Sequence, residues 1–332
     1  VQFSIAFQTD KHAARYAELA AFADGFGFDG LSVYCDAPFA PSYPPLLLMA
    51  PHVRRARLGP AAVPLARMHP LDIAASAALL DALAPGRTRI GLSRGAWLEQ
   101  YALHEPHPPL KALREAIAIV RALLTGQAAP GDGVVYPLVS GLRAPYPVPG
   151  HMPPLLIGTW GEKLCALAGE AADEVKIGGS ANPDVVPVIA RYIAVGEQTA
   201  GRPVGTVGVV VGAVCVADDD RAAARAAARR AVALYLPVVA PLDPTVAVEP
   251  DLIARLRAHA DAAEWDAAAR LISDDLLERF AFAGDAHDLI RQCERLFAAG
   301  ARRIEFGTPH GLETAETGIR LLGERVLPAF TR

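Results

Sequence analysis

Short apolar runs alternate with helix-spaced segments along almost the whole chain, and the number of those runs decides the architecture. "FSIAF" (3–7) precedes "KHAARYAELAAFADGFG", and "GLSVY" (30–34) precedes a helical stretch near 44–53. "ARLGPAAV" (56–63) leads into "HPLDIAASAALLDALAPGR", with apolar residues three and four apart and a Pro-Gly stop. "RTRIGLS" precedes "PLKALREAIAIVRALLTG", "PPLLIGT" (153–159) precedes "GEKLCALAGEAA", and "DEVKIGG" precedes "NPDVVPVIARYIAVGEQTAG". "TVGVVVGAVCVA" (206–217) is the seventh run and "RRIEFGT" (302–308) the eighth, followed by "ETAETGIRLLGERVLPAF". Strands that alternate with helices pair in parallel, and strands covered on both faces are nearly uniformly apolar, as these are. Eight such units predict one α/β domain, a (βα)8 TIM barrel over 1–332, rather than a six-stranded open sheet.

Two stretches interrupt the alternation. The Pro- and Gly-rich segment 126–150, after the fourth strand, predicts a flap or small hairpin. The Ala/Arg-rich segment 219–281 predicts extra helices between strands seven and eight. In the latter, Asp218 to Asp220 open a helix, where acids suit the positive end of the dipole. Arg225, Arg229 and Arg230 are expected on a solvated helix face.

Composition then excludes several function classes. A net charge of -4 over 332 residues gives no basic stripe for nucleic acid. The longest apolar runs, such as "LYLPVVAPL", fall short of a membrane span, and "VQFSIAFQTDKH" does not resemble a signal peptide. Cys35, Cys165, Cys215 and Cys293 are scattered, as expected of reduced, buried thiols. The expectation is a cytoplasmic protein acting on a small molecule, with no metal. "HEPHPP" (His104, Glu105, His107) lacks a third nearby ligand for a metal site.

"RIGLSRGA" (89–96) tests the alternative of a dinucleotide-binding sheet. That fold needs G-x-G-x-x-G opening a helix, whereas Gly91 and Gly95 are spaced G-x-x-x-G ahead of "WLEQYALHEPHPP", which is full of helix breakers. The segment is therefore the fourth barrel strand and the loop that leaves it.

Four ordered stretches carry a family likeness: "LGPAAVPLARMHP", "LLDALAPGRTRIGLSRG", "PPLLIGTWGEKLCALAGEAADEVKIGGSANP", and "FAGDAHDLIRQCERLFAAGARRIEFGTPHG" with "GERVLP". With them the chain resembles the luciferase-like flavin and deazaflavin oxidoreductases nearly end to end. Within that family it most resembles the methylene-tetrahydromethanopterin reductase branch, which uses coenzyme F420. The resemblance implies an F420-dependent oxidoreductase that moves hydride between the deazaflavin C5 and a small organic substrate. It also implies a homodimer through helices two and three, and an active site on the loops after the strands, where barrels of this class keep theirs.

The resemblance places a non-prolyl cis peptide at Ala61 and Ala62, so that these residues and Val63 back the cofactor ring. Alanines that merely fill a tight barrel layer are the plainer account. Ser93 and Gly95 are expected beside the ring. Phosphate is expected at two loops, one with Thr159, Trp160 and Gly161 and one with Gly178, Gly179 and Ser180, both offering backbone N–H groups. Trp160 can stack near the cofactor or cap the barrel.

Three positions where relatives carry acids are here Ala6, Ala37 and Ala96. Hydride transfer still calls for a positioned acid. Asp36 is the leading candidate, in contact with cofactor and substrate. Glu99 follows, with Tyr34 and His69 behind it, and Ala6 weighs against pterin reduction in particular. The alternatives are an FMN-dependent monooxygenase, since the two cofactors share a similar tricyclic ring, and a non-catalytic flavin-binding protein.

Overall fold

Parallel pairing of short buried strands, each followed by a covering helix, closes into a barrel in the computed structural model, which describes residues 1–330. The chain begins β1 (Gln2–Phe7), α1 (Ala13–Phe26), β2 (Gly30–Val33), α2 (Tyr43–Met49), β3 (Arg57–Pro60), β4 (Val63–Pro64) and α3 (Pro70–Leu83). It continues β5 (Ile90–Ser93), α4 (Pro109–Leu124), β6 (Leu155–Gly158), α5 (Glu162–Ala171), β7 (Glu174–Gly178), α6 (Val186–Thr199) and β8 (Gly208–Ala217). Five helices follow: α7 (Arg221–Val232), α8 (Leu236–Val239), α9 (Pro250–Asp261), α10 (Trp265–Leu271) and α11 (Asp274–Phe280). The last elements are β9 (Ala281–Gly284), α12 (Ala286–Ala298), β10 (Arg303–Gly311) and α13 (Ala315–Leu321).

The strand order is β3-β2-β1-β10-β8-β7-β6-β5-β4, parallel throughout, and a bridge from Leu58 to Thr88 brings the two ends together. β3 and β4 are two halves of the run 56–63, interrupted at the cis peptide between Ala61 and Ala62. Counted as one stave, they give the eight staves expected. β9 is an addition, because the segment after β8 was expected to be helical up to residue 281. It pairs with Val214 to Ala217 of β8, beyond the point where β7 stops. An open edge of a long buried strand needs a partner, and β9 supplies it.

The barrel interior departs from the uniformly apolar strands expected. Phe3, Ile5, Ile304 and Phe306 are fully or almost fully buried in the hydrophobic core, whereas the alternate residues carry charge to the centre. Ser32 of β2, Lys176 of β7 and Glu305 of β10 meet there although their strands are not neighbours. Arg303 donates to Glu174 at 2.7 and 3.1 Å and to Ser4 at 2.8 Å. Buried charges are tolerated because each is paired.

Outside the barrel, segment 126–150 contains neither helix nor strand. It lies against α4, whose Glu115 accepts the N–H groups of Val134, Val135 and Tyr136 at 2.9 Å. Arg225 and Arg229 are not on a solvated face. Arg225 donates to Glu278 at 2.6 Å and Asp274 at 2.9 Å, and Arg229 also reaches Asp274, so they tie α7 to α11. Asp220 caps α7 by accepting from Ala223 N. The four cysteines are free and buried. No helix among the described residues is long and apolar enough to cross a membrane.

Candidate active site

A cavity of about 700 Å³ opens at the C-terminal ends of the strands. This is the face on which (βα)8 enzymes hold their chemistry. One wall is made of small residues. Ala61, Ala62, Ser93, Gly95 and Gly158 line it, and a Cβ added at Gly178 would meet nothing within 4 Å. Such a wall accepts a planar ring system.

The loop after β6 ends at the N-terminus of α5. Thr159 Oγ1 accepts from Gly161 N at 3.1 Å, and Gly161 caps the ten-residue α5. The first-turn amides of Glu162 and Lys163 have no carbonyl one turn back within the helix, so they are left to water or a ligand. The loop after β7 differs from expectation. Gly179 N and Ser180 N both donate to Gly212 O, at 2.7 and 3.1 Å, and Ala181 N donates to Arg279 O. Its amides are spent on holding β7 to β8, so Gly178 and Gly179 contribute wall rather than donors. Ser180 is buried, accepts from Asn182 N and does not line the cavity. Val63 is likewise buried behind the wall. Trp160 lines the cavity, and its indole N–H donates to Gly178 O at 3.2 Å, tying the loop after β6 to the end of β7.

The polar groups converge at the end of β2. Asp36 lines the cavity and accepts from Gln8 Nε2 at 3.4 Å. Burial raises its carboxyl above the ordinary range, although Gln8, Lys176 and Arg67 oppose the shift. Arg67 holds the loop by donating to the carbonyls of Cys35, Asp36 and Phe39. Lys176 rises from β7 with its ammonium 4.9 Å from the Tyr34 ring centroid. Tyr235, at the start of α8, lines the same cavity with its hydroxyl pushed up to about 12, by burial first and then by the charge of Asp36.

Glu99 also lines the cavity, but on the exposed rim in a short turn, away from this cluster. His69 accepts from Leu71 N as the cap of α3 and packs edge-on against Tyr136, so its role is structural. Glu105 pairs with Arg94 on the rim, and among the described residues no three His, Cys, Asp or Glu side chains are grouped to hold a metal.

Gln8, Lys176 and Tyr235 escaped the sequence argument. Lys176 left a trace, as a charge in the middle of the apolar run "DEVKIGG". Tyr235 left none, because nothing local shows that the insertion folds back over the barrel mouth.

The sequence profile described as luciferase-like monooxygenase matches residues 2–303. A 5,10-methylenetetrahydromethanopterin reductase of Archaeoglobus fulgidus is 28% identical over 338 residues, covering 99% of each chain. The solved F420-dependent tetrahydromethanopterin reductase of Methanopyrus kandleri superposes with a TM-score of 0.90 at 24% identity, covering 100% of this chain and 99% of that one. A solved F420-dependent secondary alcohol dehydrogenase, in complex with an F420-acetone adduct, gives 0.78 at 19% identity, over 100% and 99%. These two likenesses concern the fold.

Proposed function

We propose that this chain, which belongs to the luciferase-like monooxygenase family, is an oxidoreductase that uses coenzyme F420 to reduce or oxidise a small organic substrate. The observation that carries this is the combination of a small-residue wall and an open α5 N-terminus on one cavity. They suit a tricyclic ring bearing a phosphate, and the full-length reductase relative favours the deazaflavin. When bound, that group supplies or takes up a hydride.

The chain's own residues supply the rest. Ala61, Ala62, Ser93 and Gly95 leave room for the ring, while Thr159 and Gly161 shape the helix start that takes phosphate. Asp36 holds the proton at its carboxyl for the substrate, with its raised affinity set by burial. Trp97 and Tyr235 meet edge-on at 5.4 Å and keep water from the mouth of the cavity. Substitution of Asp36 by Asn is expected to lower turnover by about 10²-fold. An unchanged rate in folded protein removes Asp36 from the mechanism.

The deciding experiment is fluorescence titration with F420 and with FMN, in separate runs. Micromolar binding of F420 is the expected result. Binding of FMN alone, with oxygen uptake on its reduction, would favour the monooxygenase reading that the family's description keeps open. Failure of both would favour a non-catalytic role.

We further propose a homodimer across α2 and α3. Leu48, Leu79 and Leu83 are exposed there, between 43% and 54%, and such apolar faces mark contact surfaces.

A further inference from the structure

The barrel axis carries an odd number of charges. From the N-terminal face upward lie Arg89, Glu174, Arg303, Glu305 and Lys176. Arg89 Nε is 3.2 Å from Glu174 Oε2, and Arg303 grips both oxygens of Glu174 and reaches Glu305 Oε2 at 3.2 Å. Glu305 then closes on Lys176. Two carboxylates are thus shared among three cations. At the upper end Lys176 also acts on Asp36, where its charge opposes the effect of burial on the carboxyl.

At the lower end the neighbour of Arg89 is another cation. Arg57 and Arg89 line a second cavity, of about 520 Å³, at the N-terminal ends of the strands. The Arg89 side chain is only 6% exposed, and its Nε is buried without a hydrogen bond. The Arg57 guanidinium makes no hydrogen bond or ion pair with any described residue. The other charges on the wall are occupied. Arg55 and Arg302 donate to backbone carbonyls, and Asp29 and Asp173 accept from Phe3 N and Leu155 N at 2.8 Å. Burial, with Arg303 and to a lesser degree Arg57 adding to it and Glu174 and Glu305 opposing it, lowers Arg89 to about 10. Glu174 offsets part of the charge of Arg89, but it also serves Arg303, and Arg57 brings a further cation to the same cavity, so a bound anion is favoured there.

We propose that the lower cavity binds a small organic molecule through a phosphate or carboxylate group held between Arg57 and Arg89. Paired guanidinium forks match the oxygens of either group. The cavity is much larger than an inorganic ion, so the rest of the ligand occupies it too. This site lies at the opposite end of the barrel from the candidate active site and does not depend on the cofactor assignment.

The test is calorimetric titration of the full chain with inorganic phosphate and, separately, citrate, at ionic strength held constant with chloride. At least one anion is expected to bind with a millimolar or tighter Kd, and the one that does identifies the headgroup. Arg57→Gln should weaken that binding at least tenfold and Arg57→Lys should recover part of it, while Arg230→Gln on the far surface should change nothing. Arg57 is exposed, so these variants keep the fold, which circular dichroism verifies. Binding no stronger than that of chloride, or an Arg57→Gln variant that binds like the parent, would overturn the proposal. Phosphate bound only at the α5 amides gives that second result.

Discussion

His310 sits near the end of β10 with φ +79°, fully buried, its ring edge-on to Phe7. Its Nε2 is 3.0 Å from the Ala6 carbonyl oxygen, which can only accept, so that nitrogen carries the proton and the buried Nδ1 is left unpartnered. Burial, with Lys11 adding to it, lowers the ring to about 4. Between pH 4 and 6.5 the unfolded chain therefore binds a proton that the folded protein does not, and stability falls as pH drops through that window. The loss reaches about 3 kcal/mol at its lower end. His310→Asn, whose side chain tolerates positive φ, should flatten denaturant-derived stability over that range relative to the parent. An identical pH slope would remove His310 as the cause. Nothing in "EFGTPHG" announces this, because the pairing with Ala6 joins residues 304 positions apart. The resemblance singles out Asp36 at the same scale, and the structure places it on the cavity wall.

Helices α5 and α6 pack backbone to backbone. A Cβ on Gly196 would lie 1.7 Å from Ala166 O, and one on Gly169 would lie 2.2 Å from Ile193 O. Gly196→Ala should therefore destabilise the protein by about 1–3 kcal/mol, measured by chemical denaturation, even though alanine favours an isolated helix. A stabilised variant would show that the crossing can widen freely. Element positions were readable because the spacing of apolar residues repeats within each one. How their amides are spent was not. The loops after β6 and β7 look alike as glycine-bearing turns, yet one keeps free donors and the other gives them to Gly212.

For the molecule as a whole, eight strand-helix units could be counted because that regularity outlasts any single misjudged boundary. The charged axis could not, since nothing local shows that Glu174, Lys176, Arg303 and Glu305 point to one common axis until the barrel closes. Burial pushes the Glu305 carboxyl up, but the charges of Lys176 and Arg303, with the hydrogen bonds from Lys176 and Ser32, outweigh it and hold the group down at about 2. The stability it contributes is present above the ordinary carboxylate range and is lost only as pH falls toward 2. At the level of assembly, sedimentation should show a dimer at micromolar concentration and Leu79→Glu should shift it to monomer. A monomeric parent protein would remove the interface through α2 and α3.

The roof of the upper cavity has a consequence of its own. Val232, Tyr235, Val238, Val239, Leu242 and Phe280 all come from the single stretch between β8 and β9, while the floor comes from the staves. That side of the cavity is therefore one contiguous cassette. Exchanging it between relatives would re-tailor which molecules the cavity accepts while leaving the barrel beneath it inherited intact.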